Sequence, residues 1–266
     1  MFSFWVQIIF YTISITFVFA IFSKSSVNLS DWFSAFTPIS HGQYWYMSCY
    51  FGLVLIAPFL NQAVLTLKKE LLLPIIIGAF IYFSVIPTVF KQDTLGLWGG
   101  YSVLWMILLY TLGAIIRKFN YESHFQIRNV SGLILFLTSL TFILCWFGYE
   151  QWRSYISPTV TLQGIAIFLL FLRIKNLPLT FKRLVLLISP LTLGIYLFHV
   201  HPLIFRRIIP NIYTLVEEQE LLMFVIIILV MTLVLFFSGA IIEYFRNKLM
   251  VYILTSIKSF KNLKQT

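Results

Sequence analysis

Three histidines lie at the edges of apolar stretches in this chain of 266 residues. His41 opens the segment His-Gly-Gln-Tyr-Trp-Tyr, and His199 and His201 lie in Tyr-Leu-Phe-His-Val-His-Pro. An imidazole changes its charge near neutral pH, so a histidine in such a place can take a proton from a hydroxyl group or return one. The alternative is that each is an interfacial residue, hydrogen-bonded to backbone or to lipid headgroups.

Aromatic residues surround the first of these histidines, namely Trp32, Phe33, Tyr44, Trp45 and Tyr46. Such rings can stack on the face of a sugar, or they can form the aromatic belt of a protein at the membrane interface. The belt is the commoner arrangement.

The spacing of the histidines and cysteines does not favour a metal site or a disulfide. His199 and His201 are two residues apart, so on a helix they point to different faces. Cys49 and Cys145 both lie inside apolar runs, which is not the pattern of a disulfide scaffold. We predict no metal site and no bound cofactor.

The composition determines the class of protein that must position these residues. Hydrophobic residues make up 60% of the chain and charged residues 11%, against roughly 45–50% and about 25% in soluble domains. The mean hydropathy is +0.92. So few charges could not cover a water-exposed surface, and the excess apolar surface must face lipid. The sequence therefore predicts a multi-pass membrane protein whose first partner is the lipid bilayer.

The membrane spans are predicted from apolar stretches near the roughly 20 residues that cross a bilayer. There are eight, at about 4–22, 44–67, 71–90, 101–116, 131–148, 159–172, 184–205 and 221–243. They are continuously apolar, which favours helices over barrel strands. We predict an all-α membrane helix bundle of about eight transmembrane helices, with one domain over 1–249 and a basic tail over 250–266.

The orientation follows from the positive charges in alternate loops. One set of loops holds five of the 19 lysines and arginines, and the other holds the remaining 14. The smaller set consists of Lys24, Lys91, Arg153, Arg206 and Arg207. Both termini should therefore be cytoplasmic. The net charge of +10 is what this topology produces, so we do not expect a nucleic-acid partner.

The basic tail repeats apolar residues at three- and four-residue intervals. They are Met250, Ile253, Leu254, Ile257, Phe260 and Leu263, with lysines off that stripe. This pattern suits a helix lying on anionic lipid, and a frayed tail is the equal alternative.

Charged residues are absent from the interior of the predicted spans, if Glu243 is counted as a helix-end residue. Ion-coupled transporters usually need intramembrane ionisable groups. The sequence thus argues against a pump or symporter.

Three segments resemble the acyltransferase 3 family, whose members are membrane acyltransferases that modify extracytoplasmic glycans. They are 44–61 (Tyr-Trp-Tyr to Pro-Phe-Leu-Asn), 100–118 (Gly-Tyr-Ser to Arg-Lys) and 188–206 (Ile-Ser-Pro to Arg). The Ile-Glu-Tyr-Phe-Arg ending of the last span, 242–246, is similar too. The resemblance is strongest to the Gram-positive polysaccharide acetyltransferases.

The resemblance implies transfer of an acyl group, usually acetyl from acetyl-CoA, to a sugar hydroxyl of a surface polysaccharide or a lipid-linked glycan. It also implies a bacterial plasma membrane. Acetyl-CoA is then a donor substrate. On this basis we predict His199 and His41 as catalytic residues. The predicted substrate-binding residues are Tyr44, Trp45, Tyr101, Trp105 and Arg206.

The sequence departs from the family pattern at its start. Members usually have ten spans, and the first carries an arginine and a histidine that is regarded as essential. The segments above align only with later spans, which indicates an N-terminally shortened chain that would need a separate N-terminal fragment for activity. Two alternatives remain, a non-catalytic membrane remnant and a polysaccharide flippase or polymerase.

Overall fold

The computed structural model describes residues 2–22, 27–93, 95–174, 176–216 and 219–263, and it describes no side chains for 2, 3, 213, 215, 254 and 256–263. The helices are α1 Phe2–Phe22, α2 Leu29–Phe36, α3 Trp45–Thr66, α4 Lys69–Phe80, α5 Ile86–Phe90, α6 Val103–Lys118, α7 Ile127–Trp146, α8 Pro158–Arg173, α9 Leu179–Ile188, α10 Thr192–His199, α11 Pro202–Arg207, α12 Ile209–Val216 and α13 Leu221–Leu263. The described residues contain no strand. The predicted all-α class is confirmed.

Seven helical stretches of the described residues are long and apolar enough to cross a membrane. They are Phe4–Phe22, Trp45–Thr66, Lys69–Phe90, Ile127–Trp146, Glu150–Arg173, Leu179–His199 and Leu221–Ile253. The fourth predicted span corresponds to α6, which has 16 residues. At about 1.5 Å per residue it is shorter than a bilayer core of roughly 30 Å. The protein is a polytopic helical membrane protein.

The chain forms two compact units. The terminal unit consists of Met1–Tyr44 and Pro178–Thr266, and the central unit of Trp45–Leu177. The terminal unit therefore contains α1, α2 and α9–α13, and the central unit contains α3–α8. Each unit carries part of the residues that the sequence singles out.

The terminal unit depends on a close approach of α10 to α13, which two glycines permit. A Cβ on Gly194 would lie 2.5 Å from the Cβ and Oε2 atoms of Glu243 and from the Tyr11 hydroxyl. A Cβ on Gly239 would lie 2.9 Å from the Cα of Ile195. Small residues at a membrane-helix crossing let the backbones meet in this way.

We expect Gly194→Ala to lower the thermal stability of the detergent-solubilised protein by several degrees. The added methyl group overpacks a buried contact, which typically costs about 1–3 kcal/mol. Gly78→Ala in α4 is the matched control, because a Cβ there meets nothing within 4 Å and alanine is the better helix former. Fluorescence-detected thermal unfolding measures both variants. Equal stability of the two would show that the crossing has room for a side chain at residue 194.

The helix α2 lies between the first two predicted membrane spans, where no helix is predicted. The Asp31 carboxylate accepts a hydrogen bond from the Asn28 backbone at 2.8 Å and caps its start. Near its end, the Thr12 hydroxyl donates to the Ala35 carbonyl at 2.7 Å. Thr12 is at the middle of α1, so α2 folds back along the C-terminal half of α1.

The seventh predicted span is wrong in its extent. The helix α10 ends at His199, and a new helix starts at Pro202. Proline has no backbone N–H to continue α10, and the Nδ1 atom of His201 accepts from the Leu203 backbone at 3.2 Å as a cap of α11. The chain therefore changes direction between His199 and Pro202.

The last predicted span ends at residue 243, whereas α13, which is 43 residues long, continues past it to Leu263. The first part of the predicted tail is thus a continuation of the same helix. Most side chains of its apolar stripe lie outside the described residues. Its placement on a lipid surface stays a prediction.

Candidate functional site

His199 lies in the last turn of α10 and is half-buried. Its Nδ1 atom is 2.8 Å from the carbonyl oxygen of Ile195, one turn earlier. A carbonyl only accepts, so in the neutral ring this contact places the proton on Nδ1 and the lone pair on Nε2. An imidazole held in this tautomer is suited to take a proton at Nε2.

A chain of rings extends from His199 through the terminal unit. The ring centroids of His199 and Tyr196 are 6.0 Å apart, those of Tyr196 and Tyr44 are 6.1 Å apart, and those of Tyr44 and His201 are 6.3 Å apart. Tyr44 is buried, and its hydroxyl donates to the Leu197 carbonyl at 2.9 Å. This hydrogen bond attaches the segment before α3 to α10.

His201 has a structural position. Its side chain is buried, its Nδ1 atom caps α11, and its ring lies beside the backbone of Thr12 in the middle of α1. An interfacial residue would lie near one end of a membrane-spanning helix. His201 instead lies beside Thr12, about ten residues from each end of α1.

His41 and Arg206 lie on the surface of the terminal unit. His41 is exposed, and its Nδ1 atom is 2.8 Å from the Thr37 hydroxyl. Arg206 is exposed in the last turn of α11. Of the segment 41–44, the residue that joins the ring chain is Tyr44.

A buried ion pair in the terminal unit was missed by the sequence analysis. Glu243 is 1% exposed, and the Arg246 guanidinium donates to its two oxygens at 2.7 and 2.8 Å. Gln7 and Tyr11 of α1 each donate to the same carboxylate at 3.0 Å. Each carboxylate oxygen thus accepts one hydrogen bond from α1 and one from α13. The backbone of α10 packs against the Glu243 side chain at Gly194.

The expectation that Glu243 lies at the end of a helix is wrong, because α13 continues past it to Leu263. Its side chain is buried inside the terminal unit. The spacing Glu-x-x-Arg within an apolar run was the available signal, because a lone charge in such a run is costly and a paired one is tolerated.

The central unit brings together two of the aromatic residues that the sequence predicts. The ring centroids of Trp45 and Tyr101 are 4.4 Å apart. Tyr155, which the sequence analysis did not select, completes the group at 6.0 Å from Trp45 and 5.5 Å from Tyr101. We call Trp45, Tyr101 and Tyr155 the aromatic cluster. About half of the Tyr101 and Tyr155 surfaces is exposed, so a ligand can reach the cluster.

Local backbone geometry positions this cluster. Gly100 has a φ of +109°, and a Cβ there would lie 2.6 Å from the Cβ of Tyr155. Glycine is required for both reasons, and it lets the start of the Gly-Tyr-Ser segment contact Tyr155. Ser102 then caps α6 by accepting from the Trp105 backbone at 3.2 Å.

A cavity of about 360 Å³ lies between α6 and α8 next to the cluster. Trp105, which is 2% exposed, and Tyr155 both line it. The rest of its wall is almost entirely apolar. We call it the α6–α8 groove.

The predicted site residues are therefore distributed over both units. His41, Tyr44, His199 and Arg206 belong to the terminal unit, and Trp45, Tyr101 and Trp105 to the central unit. Within the part of the chain that the structure describes, no three histidine, cysteine or acidic side chains converge as metal ligands would.

The comparison with known families decides the class. A family model described as an acyltransferase domain, that of the acyltransferase 3 family, matches residues 1–243. The chain belongs to the acyltransferase 3 family. No curated protein and no solved structure matches it at a significant level. The protein is therefore a multi-pass membrane acyltransferase.

An acyltransferase of this kind needs a group that removes a proton from the acceptor, and a surface that orients the acceptor. Nε2 of His199 is a candidate for the first role, because the Nδ1 contact with Ile195 leaves it open in the neutral ring. The exposed faces of the aromatic cluster have the chemistry of the second. Glu243 carries four hydrogen bonds from neighbouring donors, so its geometry is that of a fixed structural anion.

Proposed function

We propose that this acyltransferase moves an acetyl group from acetyl-CoA to a sugar hydroxyl of a surface or capsular polysaccharide, in a bacterial plasma membrane. The observation that carries the proposal is the hydrogen bond from His199 Nδ1 to the Ile195 carbonyl. In the neutral ring it leaves Nε2 of the half-buried side chain as the atom that can accept a proton, which is the tautomer that a general base at this atom requires.

In the proposed step, Nε2 of His199 takes the proton of the sugar hydroxyl. The sugar oxygen attacks the carbonyl carbon of the thioester, so that a C–O bond forms and the C–S bond breaks. The departing CoA thiolate receives the proton from His199. The histidine returns to its starting state, and the products are the acetylated sugar and CoA.

Within the central unit, the aromatic cluster is proposed as a stacking surface for a sugar of the glycan. Sugar rings present an apolar face of C–H groups, and flat aromatic side chains pack against such faces. Tyr101 and Tyr155 add hydroxyl groups that can bond to the sugar. The stacking interpretation of Trp45 is thereby preferred to a simple aromatic belt.

The cytoplasmic side is proposed to receive the donor, with both termini on the same side. Several lysines and arginines lie near Thr66 and Phe119. The Lys118 ammonium donates to the Val64 and Leu67 carbonyls at 2.7 and 2.8 Å. Lys68 and Arg117 are exposed. We propose that these two cations meet the phosphates of CoA.

Deletion of the gene in its host is expected to remove O-acetyl groups from the surface polysaccharide while the polymer is still made. Proton NMR of the purified polysaccharide measures the O-acetyl content, and a plasmid copy of the gene should restore it. A flippase or polymerase predicts the reverse result, in which the amount or the length of the polymer falls. Unchanged acetylation after deletion would refute the proposed function.

A further inference from the structure

The α6–α8 groove and the aromatic cluster form one continuous surface within the central unit. Tyr155 belongs to both, since it lines the groove and its ring contacts Trp45 and Tyr101. Trp105 lines the groove at the start of α6, four residues after Tyr101. A molecule that stacks on the cluster therefore has the groove directly beside it.

The groove offers an apolar surface along two helices. Leu109, Leu112 and Ile116 line it from α6, and Val160, Ile165 and Phe168 from α8. The polar side chain in its wall, Thr161, donates to backbone carbonyls of Ser157 and Tyr155 at 2.8 and 3.3 Å. The wall therefore suits a hydrocarbon rather than a polar ligand.

Two glycines make the space in the groove. A Cβ on Gly164 would meet nothing within 4 Å, and one on Gly113 would meet only the Phe168 ring at 4.0 Å. The volume of about 360 Å³ falls in the range of roughly 300–1,000 Å³ found for small-molecule sites. A two-carbon acetyl group would leave most of it empty.

We propose that the α6–α8 groove binds the hydrocarbon chain of a lipid-linked sugar whose sugar ring stacks on the aromatic cluster. This inference rests on the proposed function and names its acceptor class. One amphiphile satisfies both surfaces, because the cluster has tyrosine hydroxyl groups and exposed ring faces, whereas the groove beyond Tyr155 is lined almost entirely by apolar side chains. Acetylation then precedes any reaction that removes the saccharide from its lipid.

Photolabelling of the full chain in phospholipid vesicles tests the inference without requiring turnover. The probes are dodecyl glucoside and dodecyl galactoside with a diazirine at the chain end. Dodecylphosphocholine with the same diazirine has the same tail and no sugar. Mass spectrometry locates the labelled residues. We expect the glycosides to label α6 and α8 along the groove, at least about threefold more than the phosphocholine.

Variants assign the label to the groove. Gly164→Leu should fill the space and cut the labelling about tenfold, and Gly113→Leu should do the same from the opposite helix. Gly132→Leu is the matched control, since a Cβ there also meets nothing within 4 Å and the residue lies on α7 away from the groove lining. Tyr155→Ala should abolish the preference for glycosides. Size-exclusion profiles verify that each variant folds.

The inference is overturned if the phosphocholine labels the groove as strongly as the glycosides, because the groove then holds bulk lipid. It is also overturned if Gly164→Leu and Gly113→Leu fold and label normally. Failure of the proposed function gives a different result, in which no acceptor is acetylated while the labelling pattern persists. A change in the preferred acyl length in Gly164→Leu would assign the groove to the donor instead.

Discussion

His199→Ala is expected to lower acetyl transfer by roughly 10²-fold or more, with normal insertion into the membrane. The substitution removes the Nε2 atom that we propose as the general base, and positioned bases contribute about 10²–10⁴-fold. The measurement is O-acetyl content of the polysaccharide when the variant gene replaces the chromosomal copy. His199→Gln should be equally inactive, because an amide keeps a hydrogen-bonding group and lacks a basic lone pair.

The control for this experiment is His124→Ala, which removes an exposed histidine from the central unit. His124 should have little effect. His41→Ala tests the second predicted catalytic residue, and its exposed position beside Thr37 leads us to expect a smaller loss than at His199. Full acetylation by a stably inserted His199→Ala protein would reduce that histidine to a packing role and leave the base unassigned.

Glu243→Ala is expected to destabilise the terminal unit by about 3–5 kcal/mol. Removing one partner of a buried ion pair leaves the other charge uncompensated, and here Gln7 and Tyr11 also lose their acceptor. For a chain of this size the unfolding temperature should fall by roughly 10 °C or more. Thermal unfolding in detergent, followed by fluorescence-detected size exclusion, measures the shift.

Glu150→Ala is the matched control, because Glu150 and Arg153 have the same three-residue spacing and a similar distance of 2.8 Å but are mostly exposed. Exposed pairs contribute about 0–1 kcal/mol. The double change Glu243→Gln with Arg246→Met should recover part of the stability, since no buried charge is then left alone. If Glu243→Ala and Glu150→Ala unfold at the same temperature, the buried network does not hold the unit together.

The class of the protein follows from its sequence because hydropathy is a local property. The counts of apolar and charged residues already require lipid as a solvent. The positions of most spans follow from apolar runs alone. The short α6 differs because Ser102 caps its start and left-handed Asn120 follows its end, so its extent depends on backbone geometry as well as on hydropathy.

Part of the candidate site was also readable. His199 was selected from its motif, and Trp45, Tyr101 and Trp105 from theirs. Their resemblance to one family was visible without any coordinates. What the sequence did not contain was the hydrogen bond to the Ile195 carbonyl, which indicates the tautomer of the neutral His199 ring.

Only the tertiary structure decided the α1 partners of Glu243 and the place of Tyr155. Gln7 and Glu243 are 236 residues apart, and no local pattern links them. Tyr155 lies in a connecting segment of polar and aromatic residues, and its role arises because Gly100 lets another loop contact it. Hydropathy and helical periodicity act over a few turns of chain, whereas burial and pairing of a side chain depend on which distant helices pack against it.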